Sequence, residues 1–302
     1  MKIYEYKKGM RLDGERAIAL GFFDGLHIGH RKLLESAVSA AEKEKITSAV
    51  FTFRADSDLP KLSGAPLYTD TDKAELISSL GIDELIVADF SDIKNASAED
   101  FINGILIGEL GCRVAISGSD FRFGRGAVGD VELLGRKMKA GGGDFIEVGE
   151  VKLSSRKVST TAIKKLLSEG DVSSATAMLG APYFVRSCVT HGRGVGKTLG
   201  FPTINTDIGG RVTFLKHGVY KTETEIDGIC YPSLTNVGRC PTFGEHPAHL
   251  ETFVIDFDGD LYGKSVKIFF LAFIREEEKF SSPEELIRRI ELDISEAKSK
   301  NI

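Results

Sequence analysis

The sequence predicts two domains of different class: an α/β domain built on a parallel sheet, then an all-β domain, a small antiparallel β-barrel with a terminal helix. Three observations carry this reading. The first half alternates strand-like apolar runs with helical periodicity, which implies a parallel sheet with helices on its faces. The second half holds five strand-like runs, separated by turns such as Asp227-Gly228 and Asp258-Gly259, as small antiparallel barrels do. The length, 302 residues, is about two domains on a prior of ~150 residues each. Gly180-Ala181-Pro182 breaks the chain between the two patterns, so the expected domains are 1–181 and 182–302.

In chain order, Ala17 to Leu20 is a buried strand, and Leu33, Leu34, Ala37, Val38 and Ala41 recur on one helical face after it. Ser48 to Phe53 reads as a strand, Thr71 to Leu80 as a helix ended by Gly81, and Glu84 to Ala88 as a strand. A helix from Ser97 carries Phe101, Ile102, Ile105, Leu106 and Leu110, and Arg113 to Ile116 is a further strand. Asp171 to Leu179 closes the first domain as a short helix. The barrel strands are Tyr183 to Val189, Gly218 to Glu225, Ile229 to Asn236, Leu250 to Phe257 and Ser265 to Ile274. The last element is a helix capped by Ser282, opened by Pro283, with Leu286, Ile290 and Ile294 as its buried stripe.

Composition narrows the function. Hydrophobic residues are 42% and charged residues 27%, the balance of an ordinary globular protein. A net charge of -5 argues against a nucleic-acid or membrane-surface role. The N-terminus lacks the apolar core of a signal peptide, and the longest apolar run, Ile268 to Ile274, is too short to span a bilayer. Cys112, Cys188, Cys230 and Cys240 form no C-x-x-C pair, which fits free thiols in a reducing cytoplasm. Small-molecule substrates are therefore expected.

The chemistry concentrates where the first buried strand meets its helix, in Gly21 to His30, GFFDGLHIGH. A helix N-terminus offers unpaired N–H groups and a positive dipole end to an anion. Gly21, Gly25 and Gly29 let a phosphate approach the backbone, and His27 and His30 can hydrogen-bond it, more strongly when protonated. Two other readings stand beside this one. The pair could ligate zinc, with Asp24 as the one nearby ligand, or could simply build a turn. Further on, Gly124-x-Gly126-x-x-Gly129 matches the dinucleotide fingerprint formally, but not in the first tight turn after its strand. Asp120, Arg122 and Arg125 would instead make a polar, basic loop at the sheet edge. In Arg156 to Lys164, Ser159, Thr160 and Thr161 either cap a helix running to Glu169 or hold phosphate.

His191 to Asn205, HGRGVGKTLGFPTIN, is nearly a Walker A loop, but His191 replaces its first glycine and Gly200 and Pro202 forbid the helix that must follow. A glycine-rich basic loop, with Gly192, Gly194, Gly196, Arg193 and Lys197, can still wrap a polyphosphate. Thr203 and Asn205 offer oxygens suited to Mg²⁺. The other reading of this loop is a flexible glycine hairpin.

These segments together resemble one family. G-x-F-D-G-x-H-x-G-H and the later D-F-R-F-G-x-x-x-x-G-D are similar to the nucleotidyltransferase signatures of bifunctional riboflavin kinase/FAD synthetases. G-x-x-x-G-x-x-L-G-F-P-T-x-N resembles the riboflavin kinase signature. Thr235-Asn236-Val237-Gly238, Pro241-Thr242-Phe243, Glu251-Thr252-Phe253 and Asp256 to Gly263 follow in family order. The resemblance implies a Rossmann-like nucleotidyltransferase domain, then a riboflavin kinase barrel. It implies phosphorylation of riboflavin to FMN with ATP and Mg²⁺, and adenylylation of FMN to FAD with release of pyrophosphate. On this basis Glu251 is the base of the kinase, and Thr203 and Asn205 hold Mg²⁺-ATP. His27 and His30 stabilise developing charge in adenylyl transfer. Gly21, Phe23, Asp24, Gly25 and Gly29 frame the nucleotide, Ser159, Thr160 and Lys164 hold phosphates, and Asp120 lies nearby. The chain departs from the family pattern in three places. Lys164 stands for an arginine, Arg54-Ala55-Asp56-Ser57 follows Thr52-Phe53 in place of x-P-H-P, and Cys240 precedes the second Pro-Thr. A riboflavin kinase whose N-terminal domain is impaired, or serves another phosphate acceptor, is the alternative these departures favour.

Overall fold

The computed structural model describes residues 1–54, 65–191, 196, 199–207, 214–239 and 248–298. Contacts divide the chain into two compact units, Met1–Thr160 and Thr161–Ile302. The Gly180-Ala181-Pro182 break lies inside the second unit, because the helix before it packs on barrel strands that follow it.

In the first unit, β1 (Lys2–Glu5), β2 (Arg16–Leu20), β3 (Thr47–Phe53), β4 (Glu84–Ala88), β5 (Cys112–Gly118) and β6 (Asp144–Val148) form one sheet in the order β1-β4-β3-β2-β5-β6. All five pairings are parallel. Helix α1 (Ile28–Glu44) crosses from β2 to β3. Every residue of β2 is buried, as a central parallel strand requires. Ile18 and Leu20 pack with Phe51 and Phe101 on one face, while Ala17 and Ala19 lie under Leu34, Ala37 and Ala41 of α1 on the other. Alanine at these two positions lets α1 sit close to the sheet. At the strand's amino end the buried Arg16 guanidinium pairs with Glu84 at 2.7 Å and donates to the carbonyls of Gly14 and Leu110. This satisfies a charge that would be costly alone.

The connections are α2 (Asp70–Ser78), the short α3 (Phe90–Ile93), a helical segment Asp100–Glu109, α4 (Val131–Ala140), the hairpin β7 (Lys152–Leu153) with β8 (Arg156–Lys157), and α5 (Thr160–Glu169). The helix expected from Ser97 is a π-helix over Asp100–Glu109. Its buried positions, Phe101, Ile102, Ile105 and Leu106, are followed by buried Leu110. That spacing of four to five residues matches i→i−5 winding, and Leu110 N–H donates to the Ile105 carbonyl at 2.9 Å.

In the second unit, α6 (Val172–Leu179) is capped by Asp171 and ended by Gly180 at φ +75°. Strands β9 (Tyr183–Thr190), β10 (Thr203–Asp207), β11 (Gly218–Ile226), β12 (Ile229–Arg239), β13 (Ala248–Val254) and β14 (Ser265–Arg275) close into a barrel in the order β10-β13-β12-β11-β14-β9. Its interior is partly polar. Thr224, Ser233, Thr222, Thr235 and Thr252 are buried and joined in that order by hydroxyl–hydroxyl bonds of 2.8, 2.8, 2.9 and 2.9 Å. Outside the barrel, Leu234, Phe253 and Val219 pack against Ile294 and Ala297 of the terminal helix α7 (Pro283–Lys298). The expected stripe of α7 is only half-buried at Leu286, Ile290 and Ile294. Its fully buried positions are Ala297 and Asp293, and Asp293 takes two hydrogen bonds from the Arg275 Nε and Nη2, at 3.0 and 2.8 Å. A barrel-bound arginine replaces part of the apolar contact that the periodicity alone implies.

Candidate active sites

Strand β2 is where the sheet order reverses: it leads to β3 on one side, whereas its other neighbour β5 leads on to β6. In such sheets ligands bind in the crevice at the carboxyl ends of the two strands, and Gly21 to His27 occupies that end of β2. The turn is tightly wound. Phe23, Gly25 and Leu26 have φ of +57°, +81° and +39°, and non-glycine residues held there store about 1–3 kcal/mol each. Phe23 is fully buried. Thr52 Oγ1 donates to the Phe22 carbonyl at 2.9 Å, Leu67 N–H to Asp24 Oδ1 at 2.8 Å, and Thr160 Oγ1 to the Asp24 carbonyl at 2.8 Å. A Cβ on Gly21 would meet the Phe23 ring at 3.1 Å, and one on Gly29 the His27 ring at 3.2 Å. Gly21 and Gly29 therefore make room for side chains of the turn itself, whereas Gly25 supplies its backbone angle.

His27 caps α1. Its Nδ1 accepts the backbone N–H of His30 at 3.2 Å, which fixes the proton of the neutral ring on Nε2. His30 stacks on it with ring centroids 3.6 Å apart and 13° between planes, and meets the edge of Phe23. Burial pulls His27 down to about 4, against upward pulls from a backbone hydrogen bond and then from Asp120. Burial and the neighbouring His27 hold His30 well below the usual histidine range. Two stacked cations would repel one another, so the pair rests neutral. Protonation is thus not what makes His27 a donor: the fixed tautomer already presents Nε2–H. The His30 Nδ1 is closed off from solvent with no hydrogen-bond partner among the described residues.

Asp120, just past β5, is exposed and lies 3.6 Å from Lys157, which also pairs with Glu150 at 3.0 Å. This pair, between Lys157 of β8 and Glu150 just before β7, went unread in the sequence, where only the basic run was visible. Ser159 and Thr160 stand at the start of α5, with Thr160 bonded to the turn as described. Lys164, a turn later, is half-buried with its ammonium 4.7 Å from the Phe214 ring centroid.

In the barrel, Asn205 of β10 stands directly opposite Glu251 of β13, which stands opposite Asn236 of β12. Directly paired residues share a face. Leu250 and Thr252 on either side of Glu251 are buried inside, so this row lies on the outer face, one step beyond the Leu234–Phe253 pair that α7 covers. Asn205 is buried and Glu251 exposed. Thr203 is two residues along β10 on the same face as Asn205. Gly192, Gly194 and Lys197 lie outside the described residues, as do Ala55, Asp56 and Cys240. Gly196 is described: a Cβ there would collide with the Phe201 carbonyl oxygen and fall 3.1 Å from Thr203 Oγ1. Gly196→Ala is accordingly expected to displace the Thr203 strand and to lower the rate of the reaction expected at the barrel about 10- to 100-fold, with the reaction expected at the parallel sheet unchanged. Parallel rate assays of the two reactions check this.

The chain thus carries two candidate sites, a strained, helix-capping His-x-x-His turn on a parallel sheet and a barrel strand with Thr-x-Asn opposite a carboxylate. Residues 10–162 match the family model of FAD synthetase, and residues 179–301 that of riboflavin kinase. The bifunctional riboflavin kinase/FMN adenylyltransferase of Bacillus subtilis is 34% identical over 292 residues, covering 93% of this chain and 90% of the relative. The Escherichia coli K12 enzyme of that name is 30% identical, over 91% of this chain and 90% of its own. A crystal structure described as a macrolide-efflux protein from Streptococcus pneumoniae superimposes over 100% of both chains, with a TM-score of 0.89 at 28% identity. Among the described residues, no helix here is long and apolar enough to cross a membrane. The chain belongs to the bifunctional riboflavin kinase/FMN adenylyltransferase family.

Proposed function

We propose that this chain makes FAD in two steps, phosphorylating riboflavin to FMN at the barrel and adenylylating FMN at the parallel sheet, with ATP as co-substrate in both. One observation carries the reading: the histidine turn Gly21 to His30 and the barrel row of Asn205 and Glu251 stand in separate units of one chain, each inside the stretch that matches the corresponding family model. Adenylyl transfer is assigned to residues 1–181 and the kinase to 182–302.

In the kinase, Glu251 takes the proton of the ribityl 5′-hydroxyl as its oxygen attacks the γ-phosphorus of ATP. Thr203 and Asn205 supply neutral oxygen ligands. Among the described residues no cluster of three or more His, Cys, Asp or Glu forms a metal cage, so these donors suit a cation that arrives with the ATP phosphates, as Mg²⁺ commonly does. When bound, Mg²⁺ would neutralise charge on the transferring phosphoryl group. In the adenylyltransferase, an FMN phosphate oxygen attacks the α-phosphorus and pyrophosphate leaves. The Nε2–H of His27 and the N–H groups opening α1 offset the charge that develops. Asp24, through its backbone bond to Thr160, holds the two helix starts in register for the nucleotide. Riboflavin, FMN and ATP are the partners of these sites. The free thiols Cys112, Cys188 and Cys230 fit an enzyme of the reducing cytoplasm.

A second reading is favoured by the Lys164 contact, which turns that ammonium to an aromatic face: a riboflavin kinase whose first unit transfers adenylyl groups poorly. A timed chromatographic assay with riboflavin, ATP and Mg²⁺ decides between them. FMN that rises and then converts to FAD supports the two-step enzyme, whereas FMN that only accumulates supports the second reading. Absence of both products removes the enzyme reading. Chelation of Mg²⁺ is expected to stop both steps, and re-addition to restore them.

A further inference from the structure

The row Asn205–Glu251–Asn236 contains one residue the kinase mechanism above does not use. Asn236 lies on β12, directly across from Glu251. Its Nδ2 faces the Glu277 Oε1 at 3.5 Å, and a carboxylate tolerates only the donor end of an amide, which settles the orientation of the side chain. The other end, Oδ1, is sealed from solvent and has no hydrogen-bond partner among the described residues. Gly238 maintains this arrangement, since a Cβ there would fall 2.7 Å from the same Glu277 oxygen.

A buried acceptor without a donor is costly, and native folds keep one where a ligand completes it. The missing partner is a hydrogen-bond donor or a cation, which excludes phosphate oxygens; with the cation assigned to Thr203 and Asn205, a hydroxyl or amine remains. It must also lie within one cross-strand step of Glu251, about 4.5–5.5 Å between Cβ atoms. The acceptor substrate has such a group: a polyol chain places a second hydroxyl one carbon from the hydroxyl that reacts. On the assignment of Glu251 as kinase base, we infer that Asn236 is a specificity-determining residue. Its Oδ1 accepts a hydrogen bond from the hydroxyl adjacent to the one that Glu251 deprotonates, so the site selects a chain ending in a vicinal diol.

The test compares riboflavin with 4′-deoxyriboflavin in the wild-type full-length chain and in Asn236→Ala, with Glu251→Gln alongside. The wild type is expected to prefer riboflavin by about 10- to 100-fold in kcat/KM, the scale for removing a substrate hydroxyl from a site built to bond it. Asn236→Ala is expected to lose most of that preference through riboflavin alone, with KM for ATP and FMN-to-FAD conversion unchanged. Equal discrimination in wild type and variant would overturn the inference, as would a loss in Asn236→Ala that strikes both acceptors equally. Asn236→Ser, which restores an acceptor oxygen, should recover part of the preference. Glu251→Gln reports separately: if it leaves phosphorylation intact, the base assignment fails whatever Asn236 does.

Discussion

Glu251→Gln is expected to lower riboflavin phosphorylation by about 10²- to 10⁴-fold, the contribution of a positioned general base, while FMN-to-FAD conversion stays unchanged. The substitution keeps the shape of the side chain and removes only its basicity. Glu251 is exposed on the outer face of the barrel, so the fold has little reason to change, and near-identical thermal unfolding would show that it has not. The measurement is a pair of initial rates, FMN from riboflavin and FAD from supplied FMN. Loss of both rates in a folded protein would break the division of labour between the two units. Retention of both would leave the barrel carboxylate without a role.

The second large effect concerns His27. His27→Asn supplies an oxygen that can still accept the His30 N–H, so the cap of α1 survives, but the Nε2–H donor is gone. FAD formation is expected to fall about 10²- to 10³-fold, as for removal of one preorganised donor, with riboflavin phosphorylation untouched. The same variant changes the acid stability of the first unit. An unfolded histidine takes its proton near 6.5, whereas burial delays His27 until about 4. Between those values the unfolded chain binds more protons, so stability rises with pH across the window, is complete above it, and is lost as pH falls through it. The shift corresponds to about 3 kcal/mol. Chemical denaturation of wild type and His27→Asn at pH 7 and pH 4.5 should show a smaller loss in the variant. An equal loss would mean that His27 is not the buried neutral group described.

Much of this was legible in the sequence, and the failures have physical causes. The β2–turn–α1 unit stood out because an apolar strand, three glycines and a helical stripe adjoin. Strand β4 falls on Glu84–Ala88 as read, since Gly81 and a clean apolar run bound it. Strand β10, Thr203–Asp207, went unread because Thr-Ile-Asn-Thr-Asp carries little apolar signal and its pairing with β13 is supplied by distant residues. Strand β6 and helix α4 were also missed: only Val148 of Asp144–Val148 is fully buried, at the sheet's edge. The histidine pair was found, but not its protonation, which depends on burial that a sequence does not display. Asn236 was quoted within a motif yet given no role, because only the register across β12 and β13 brings it to Glu251.

The chain of five hydroxyls inside the barrel has a consequence for how this domain can change over time. Each hydroxyl has a single proton to give, so no member of the row can donate to both of its neighbours, and its members depend on one another. A lone threonine-to-valine exchange, harmless in an oily core, would strand the neighbours on either side. Drift in the barrel interior is therefore confined to concerted replacements, or to serine-for-threonine swaps that leave the oxygen in place. Exchanges will be borne more readily in the loops and on the outer wall away from the Asn205–Glu251–Asn236 row, while the polar spine inside changes as a block.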